Sequence, residues 1–370
     1  MSFTSFPLSA PLLTALKEKG YDQPTPIQQQ SIRPIIDGRD IVACAQTGTG
    51  KTAAFCIPIL QRLSERKASG VRALILTPTR ELALQISENL TAYGKHLRIR
   101  SAVIFGGVSQ HNQVREIRQG ASILVATPGR LLDLLNQKLV ELNRLEILVL
   151  DEADRMLDMG FIHDIKRIFK VIPERRQNIL FSATMPKEVQ GIVDSILRNP
   201  VRIDVASQST PAQILQGVYY VAKESKRALL KHIISEGAMH NVLVFTRTKH
   251  GADRVARDLS RAGISAEAIH GNKSQNARQR ALSNFKNSTT RVLVATDIAA
   301  RGIDIINLPF VINYELPDTA ETYTHRIGRT GRAGATGTAF SLCDQAERSQ
   351  LKDINKIITA PLKVMEHPFA

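Results

Sequence analysis

The sequence has no tryptophan, only 5% aromatic residues and only three cysteines in 370 residues. So few aromatics beside 43% hydrophobic residues imply a core of aliphatic side chains, as alternating strands and helices require. Cys44, Cys56 and Cys343 have neither metal-site nor redox-pair spacing. A disulfide scaffold and a cysteine-held zinc are therefore excluded, and reduced thiols in a cytoplasmic setting are expected. No apolar run approaches the roughly 18 residues of a membrane span, so no membrane role is expected. The opening MSFTSFPLSA lacks the charged-then-apolar layout of a secretory signal.

What is plentiful is positive charge. Lys and Arg number 49 against 34 Asp and Glu, a net charge of +15. The excess is shared: residues 1–206 carry 27 basic and 20 acidic side chains (+7), and residues 207–370 carry 22 and 14 (+8). This favours a polyanion contacting both halves over a local basic tail, although a solvated basic surface would give the same total. Charge alone leaves RNA and DNA open.

A chain of 370 residues is comfortable for two domains. Short apolar runs alternate with helix-length stretches: DIVACA, RALILT, SAVIFG, SILVAT, EILVLD and NILFSAT, then NVLVFTRT, SAEAIHG, RVLVATD, FVINYEL and TAFSLC. Such continuous Val/Ile/Leu runs predict parallel sheets buried on both faces, an α/β fold in each half. The polar, uncharged ASQSTPAQ (Ala206–Gln213) suits a flexible connection, giving domains at 1–206 and 214–370 with a linker at 207–213. Polar groups gather at the carboxyl ends of the strands, where open α/β sheets bind ligands: TPTREL, TPGR, DEAD, SAT, TRT and TD.

DIVACAQTGTGKTAAF reads as strand, glycine loop and helix. The loop Ala45-Gln46-Thr47-Gly48-Thr49-Gly50-Lys51-Thr52 resembles a phosphate-binding P-loop with Ala45 in place of the usual first glycine. Lys51 can reach the β/γ phosphates of ATP, and the Thr52 hydroxyl can ligate Mg²⁺. Such a site needs a second metal carboxylate and a group for the attacking water. Asp151 and Glu152, closing the run EILVLDE, supply these, the divalent ion offsetting their repulsion.

DEAD (Asp151–Asp154), SAT (Ser182–Thr184) and HRIGRTGR (His325–Arg332) resemble the DEAD-box ATP-dependent RNA helicases, as do PTREL (Pro78–Leu82), Gly106-Gly107, TPGR (Thr127–Arg130) and ATDIAARGID (Ala295–Asp304). GYDQPTPIQ (Gly20–Gln28) is similar to that family's adenine-recognition segment, with Phe3 lying 17 residues before Gly20. HGNKSQNAR (His270–Arg278) and the start MSF resemble the bacterial RhlE-like subgroup.

The resemblance implies two RecA-like P-loop domains with mainly parallel sheets, joined by a short flexible linker. It implies RNA-stimulated ATP hydrolysis coupled to domain closure, with local, non-processive unwinding of short duplexes or remodelling of ribonucleoproteins. Lys51, Asp151 and Glu152 would then be catalytic, with Arg326 and Arg329 as arginine fingers and Arg332 holding neighbouring segments. Gln28 would read adenine through its carboxamide, Tyr21 would stack on the base or line its pocket, and Asp297 would approach the ribose. Asp154 would couple the nucleotide site to the RNA side through Ser182 and Thr184. RNA contacts would fall on Thr79, Arg80, Gly106, Gly107, Thr127, Gly129, Arg130, Arg247, Gln275, Arg278, Thr296 and Gly302, gripping the backbone without reading sequence. A monomer in the cytoplasm is implied, with partner proteins in RNA decay or ribosome assembly. An ATP-gated RNA clamp shares all of these residues. A DNA-acting helicase is disfavoured by the Gln28 segment.

Other features read as bland. Met156, Leu157, Met159 and Phe161 form a core-facing helical stripe, with Asp158 toward solvent. Arg175-Arg176 and Lys223–Arg227 read as solvated turns, and His270 as a packed or capping histidine. No structural metal is expected.

Overall fold

The computed structural model of the chain describes every residue except 1, 47, 67, 206–213, 238, 301–304, 306–307, 332–335, 359–361 and 370, and the side chain of 298. The expected linker, and with it Thr47, Gly302 and Arg332, lies outside the described residues. The chain divides into two compact units, Met1–Ser209 and Thr210–Ala370.

The first unit holds strands β1 (Ile41–Cys44), β2 (Ala73–Leu76), β3 (Ser101–Ile104), β4 (Ile123–Ala126), β5 (Ile147–Leu150), β6 (Gln177–Ser182) and β7 (Val201–Asp204). They form one sheet in the order β3-β4-β2-β5-β6-β1-β7, every neighbouring pair parallel. ALIL, ILVA and ILVL are buried at each position, because helices cover both faces. Ile147 and Val149 face one core with Phe55 of the helix Lys51–Ser64. Leu148 and Leu150 face the other with Met156, Ile165 and Ile168. Of the apolar stripe after DEAD, Met156 is core and Leu157 and Phe161 pack against it, while Met159 is only half-buried and Asp158 is exposed.

The register aligns the carboxyl ends. Leu76 pairs with Ala126 and Leu150, Leu150 with Leu180, and Cys44 with Ser182. Six segments therefore leave one edge of the sheet together, and the strand order sorts them. The loops after β3, β4 and β2, which carry the expected RNA residues, are neighbours. The P-loop leaves β1, and the ends of β5 and β6 lie between the two groups.

The second unit repeats the plan with β8 (Ile214–Tyr220), β9 (Val242–Thr246), β10 (Ala266–Ile269), β11 (Val292–Thr296), β12 (Phe310–Asn313), β13 (Gly337–Cys343) and β14 (Lys363–Val364). The order is β10-β11-β9-β12-β13-β8-β14, again all parallel. Strands β7, β8 and β14 were not anticipated. VRID alternates in burial, ILQGVYY is interrupted by Gln216 and Gly217, and β14 is two residues long, so none shows a continuous apolar run. Among the described residues no helix is long and apolar enough to cross a membrane.

Candidate active site

The P-loop leaves β1 with the Ala45 N–H donating to the Ser182 carbonyl at 2.9 Å. Gly50 sits at φ +94°, where a side chain is strained. A Cβ there would lie 3.0 Å from Thr25 Oγ1 and collide with the Gln28 carboxamide. The turn launches the helix Lys51–Ser64, whose N-terminal N–H groups and dipole favour an anion. Lys51 is buried, its Nζ donating to the Ala45 carbonyl at 3.0 Å, and Thr49 Oγ1 donates to the Gln46 carbonyl at 2.8 Å. Lys51 and Thr52 are the first two residues of the helix.

Asp151 is 2% exposed, and its Oδ1 has no hydrogen-bond partner among the described residues. Burial outweighs the opposing charge of Lys51 and, with the Glu152 and Asp154 charges adding to it, pushes the carboxyl up to about 7. A buried carboxylate oxygen without a donor, with the Thr52 hydroxyl on the adjoining P-loop helix, suits a hard divalent cation such as Mg²⁺. Glu152 is also buried and stands in the left-handed region at φ 55°, ψ 54°, a conformation costing a side chain on the order of 1 kcal/mol or more. Its carboxylate is ion-paired with Arg155. Nothing in the sequence pattern signalled the strained backbone of Glu152 or its tether to Arg155.

Asp154, Ser182 and Thr184 are brought together as expected from the resemblance. Asp154 Oδ2 accepts from the Ala183 N–H at 3.2 Å, the Thr184 N–H at 2.9 Å and Thr184 Oγ1 at 2.9 Å. The Asp154 N–H in turn donates to Ser182 Oγ at 3.1 Å. This side chain ties the end of β6 to the turn after β5.

Gln28 is buried and spans two segments: its Oε1 accepts from the Thr25 N–H at 3.0 Å, and its Nε2 donates to the Gly50 carbonyl at 3.1 Å. The carboxamide keeps a second lone pair and a second N–H, so it can contact a base without releasing the P-loop. Tyr21 is half-buried in an aromatic group, its ring 6.1 Å from Phe3 and its hydroxyl 2.9 Å from that of Tyr93.

Of the expected RNA residues of the first unit, Thr79, Arg80, Thr127, Gly129 and Arg130 sit at helix N-termini on the β3-β4-β2 side, and Gly106 and Gly107 lie in the loop after β3. Thr79 caps the helix Arg80–Tyr93, its Oγ1 accepting from the Leu82 N–H at 3.3 Å. Thr127 precedes the helix Pro128–Asn136, which carries Gly129 and Arg130. Gly107 stands at φ +79°, and a Cβ there would collide with the Arg80 guanidinium. Sequence reading missed Gln113. Its buried carboxamide accepts from the Phe105 N–H at 3.3 Å and donates to the Phe105 carbonyl at 3.1 Å. The same oxygen accepts from Arg130 Nη1 at 3.3 Å, so Gln113 holds the Gly106-Gly107 loop to Arg130. No local motif marks it.

In the second unit Arg247 follows β9, and Thr296 closes β11 just before Asp297. Gln275 and Arg278 open a helix capped by Ser274. Arg329 is buried. Arg326 has a different place from the one expected. It is 2% exposed, with Nε and Nη2 donating to the two Asp297 oxygens at 2.6 and 2.7 Å. Nη1 donates to Asn313 Oδ1 at 3.0 Å and to the Glu315 carbonyl at 2.7 Å, and the guanidinium lies 5.0 Å from the Phe245 ring centroid. A guanidinium so enclosed orients Asp297 and is not placed to act as a finger on phosphate.

Two family models match the chain. That of the DEAD/DEAH box helicases matches residues 25–192, and that of the helicase conserved C-terminal domain matches residues 225–334. The chain is 40% identical over 368 residues to the DEAD-box ATP-dependent RNA helicase RhpA of Helicobacter pylori, covering 99% of this chain and 74% of that one. It is 39% identical over 371 residues to the ATP-dependent RNA helicase CshA of Limosilactobacillus reuteri, covering 100% and 74%. Among solved structures it resembles a DEAD box protein of Methanococcus jannaschii, with 37% identity, 99% of each chain covered and a TM-score of 0.57. It also resembles Saccharomyces cerevisiae Dbp5 bound to RNA and ADP BeF3, with 31% identity, 98% and 95% covered and a TM-score of 0.85. With the P-loop, the DEAD turn and two parallel seven-stranded sheets in place, the chain belongs to the DEAD-box ATP-dependent RNA helicases.

Proposed function

We propose that this helicase hydrolyses ATP on the edge formed by β1, β5 and β6 and grips an RNA backbone on the edge formed by β3, β4 and β2, with Asp154 joining the two. The observation that carries this is the set of bonds from Asp154 to Ala183 and Thr184, set between the P-loop and the helix N-termini on the other side. Backbone N–H groups from Gln46 to Thr52, with Lys51, bind the phosphates; Gln28 reads adenine and Tyr21 lines its pocket. Thr52 and Asp151 would hold Mg²⁺, which when bound offsets the Asp151 charge and polarises the phosphate oxygens. Glu152 accepts the proton of the attacking water. Arg329 stabilises charge on the transferring phosphoryl group, a contribution of roughly 10³-fold or more. Asp297, held by Arg326, accepts from the ribose; its side chain is still 27% exposed.

RNA is held through Thr79, Arg80, Gly106, Gly107, Thr127, Gly129 and Arg130 in the first unit, and Arg247, Gln275, Arg278, Thr296 and Gly302 in the second. Helix N-termini and arginines suit phosphates and read no bases. Coupling to domain closure, and local unwinding or ribonucleoprotein remodelling, belong to the same proposal. So do a monomeric state, an RhlE-like assignment, and partners in RNA decay or ribosome assembly. A cytoplasmic setting is supported by the free thiols of Cys44, Cys56 and Cys343.

Steady-state ATPase assays with and without single-stranded RNA test the core. RNA should stimulate turnover, and Glu152→Gln should lose about 10²-fold or more. Equal turnover with and without RNA, or in Glu152→Gln, would refute it. Strand release compared with RNA dwell time on a duplex with an overhang separates unwinding from clamping.

A further inference from the structure

The basic stretch Lys223–Arg227 reads from sequence as a solvated turn, yet Lys226 is 2% exposed. Its Nζ lies 3.1 Å from Asp344 Oδ2 and is paired with Glu347 Oε2. Glu347 is itself only 4% exposed. Its Oε1 accepts from the Leu316 N–H at 3.0 Å and from Arg247 Nη2 at 3.2 Å. Three segments far apart in sequence thus converge on one buried carboxylate in the second unit.

Arg247 is pinned from several sides. Its N–H donates to Glu315 Oε2 at 2.7 Å, and its Nη2 also donates to the Leu316 carbonyl at 3.2 Å. Its Nε lies 3.6 Å from Asp318, yet the side chain stays 40% exposed. Burying Lys226, Asp344 and Glu347 is expensive, because each charge leaves water and well-packed apolar residues would serve stability as well or better. Asp344 shows what the cluster does electrically: burial alone would raise its carboxyl, but Lys226 together with the Ala346 and Glu347 N–H groups outweighs it and holds it below the usual range. The outlet of the cluster is a half-exposed guanidinium held in one orientation at the carboxyl edge of β9.

We infer that Glu347, kept in place by Lys226, is a positioning residue for RNA: it fixes Arg247 so that the exposed side of the guanidinium meets a backbone phosphate. This rests on the reading that Arg247 touches RNA. A long side chain ordered in advance does not lose its rotamer freedom on binding, and a fixed fork matches phosphate geometry.

The test measures the RNA dependence of ATP turnover for the wild type, Glu347→Gln, Arg247→Ala and the double variant. Glu347→Gln should raise KM for RNA roughly 3- to 10-fold, with kcat at saturating RNA within about twofold. Arg247→Ala should raise KM at least as much, and the double variant should match Arg247→Ala alone. Additive effects, an unchanged KM, or a loss confined to kcat in Glu347→Gln would overturn the inference and leave the cluster a structural element. An unchanged KM in Arg247→Ala would instead overturn the underlying reading of Arg247 together with it. Arg247→Lys, which keeps the charge at an exposed position, covers the case in which Glu347→Gln does not fold. It should lose as much as Arg247→Ala, and a wild-type KM there would show that charge alone suffices and no positioning is needed.

Discussion

A carboxylate that is 2% exposed and has one oxygen without a donor among the described residues costs the fold free energy whenever it is ionised. For Asp151 the sign follows from its carboxyl standing at about 7 in the folded chain against about 3.9 when unfolded. Below about pH 4 both states are protonated and the cost is absent. As pH rises toward 7 the unfolded chain ionises first, so stability falls, and above about 7 the full cost applies, on the order of a few kcal/mol. Asp151→Asn should therefore raise the melting temperature markedly at pH 8 and little at pH 4, while abolishing ATP hydrolysis. Calorimetry at the two pH values checks this, and an equal shift at both would contradict it. The P-loop has a steric counterpart in Gly50. Gly50→Ala should weaken ATP binding about 10-fold or more, because its Cβ meets the Gln28 carboxamide and the residue must hold a positive φ; equilibrium titration with a fluorescent ATP analogue measures it.

Helices and strands carry their signals unevenly. The P-loop, DEAD and SAT were legible because each combines an apolar run with polar residues at its end, a pattern local in sequence. Gln113 was not legible, since its role depends on Phe105 and Arg130 meeting it in space. Gln113→Ala should loosen the Gly106-Gly107 loop and raise KM for RNA several-fold, with KM for ATP within about twofold. The same physics explains the second unit. Lys226 stands in a basic segment that reads as a solvated turn and Arg326 in one that reads as a source of arginine fingers, and only long-range partners, Asp344 with Glu347 for the first and Asp297 for the second, make their burial tolerable. Strand β7 was invisible for the opposite reason. It lies at an edge of its sheet, so Arg202 and Asp204 can be exposed and its run is not continuously apolar.

For the molecule as a whole, the net charge of +15 is divided almost evenly between the two halves, so no single basic tail accounts for RNA affinity. Binding should weaken steeply with salt, and each phosphate contact removed should reduce the slope of log K against log salt by about 0.7. Arg130→Ala and Arg247→Ala should each produce that change in filter-binding titrations on unrelated RNA sequences. A change confined to one sequence would indicate base reading instead.

The strand order β3-β4-β2-β5-β6-β1-β7 also governs how the first unit tolerates change. Three strand spacings, about 14 Å, separate β2 from β1. Substitutions in the loops after β3, β4 and β2 should then combine additively with substitutions in the P-loop, as distant sites do. Departures should concentrate on residues bonded to Asp154. The unit is therefore suited to loop grafting: a new RNA-side loop can be installed on an untouched ATPase, provided that Ser182, Ala183 and Thr184 keep their bonds to the DEAD turn.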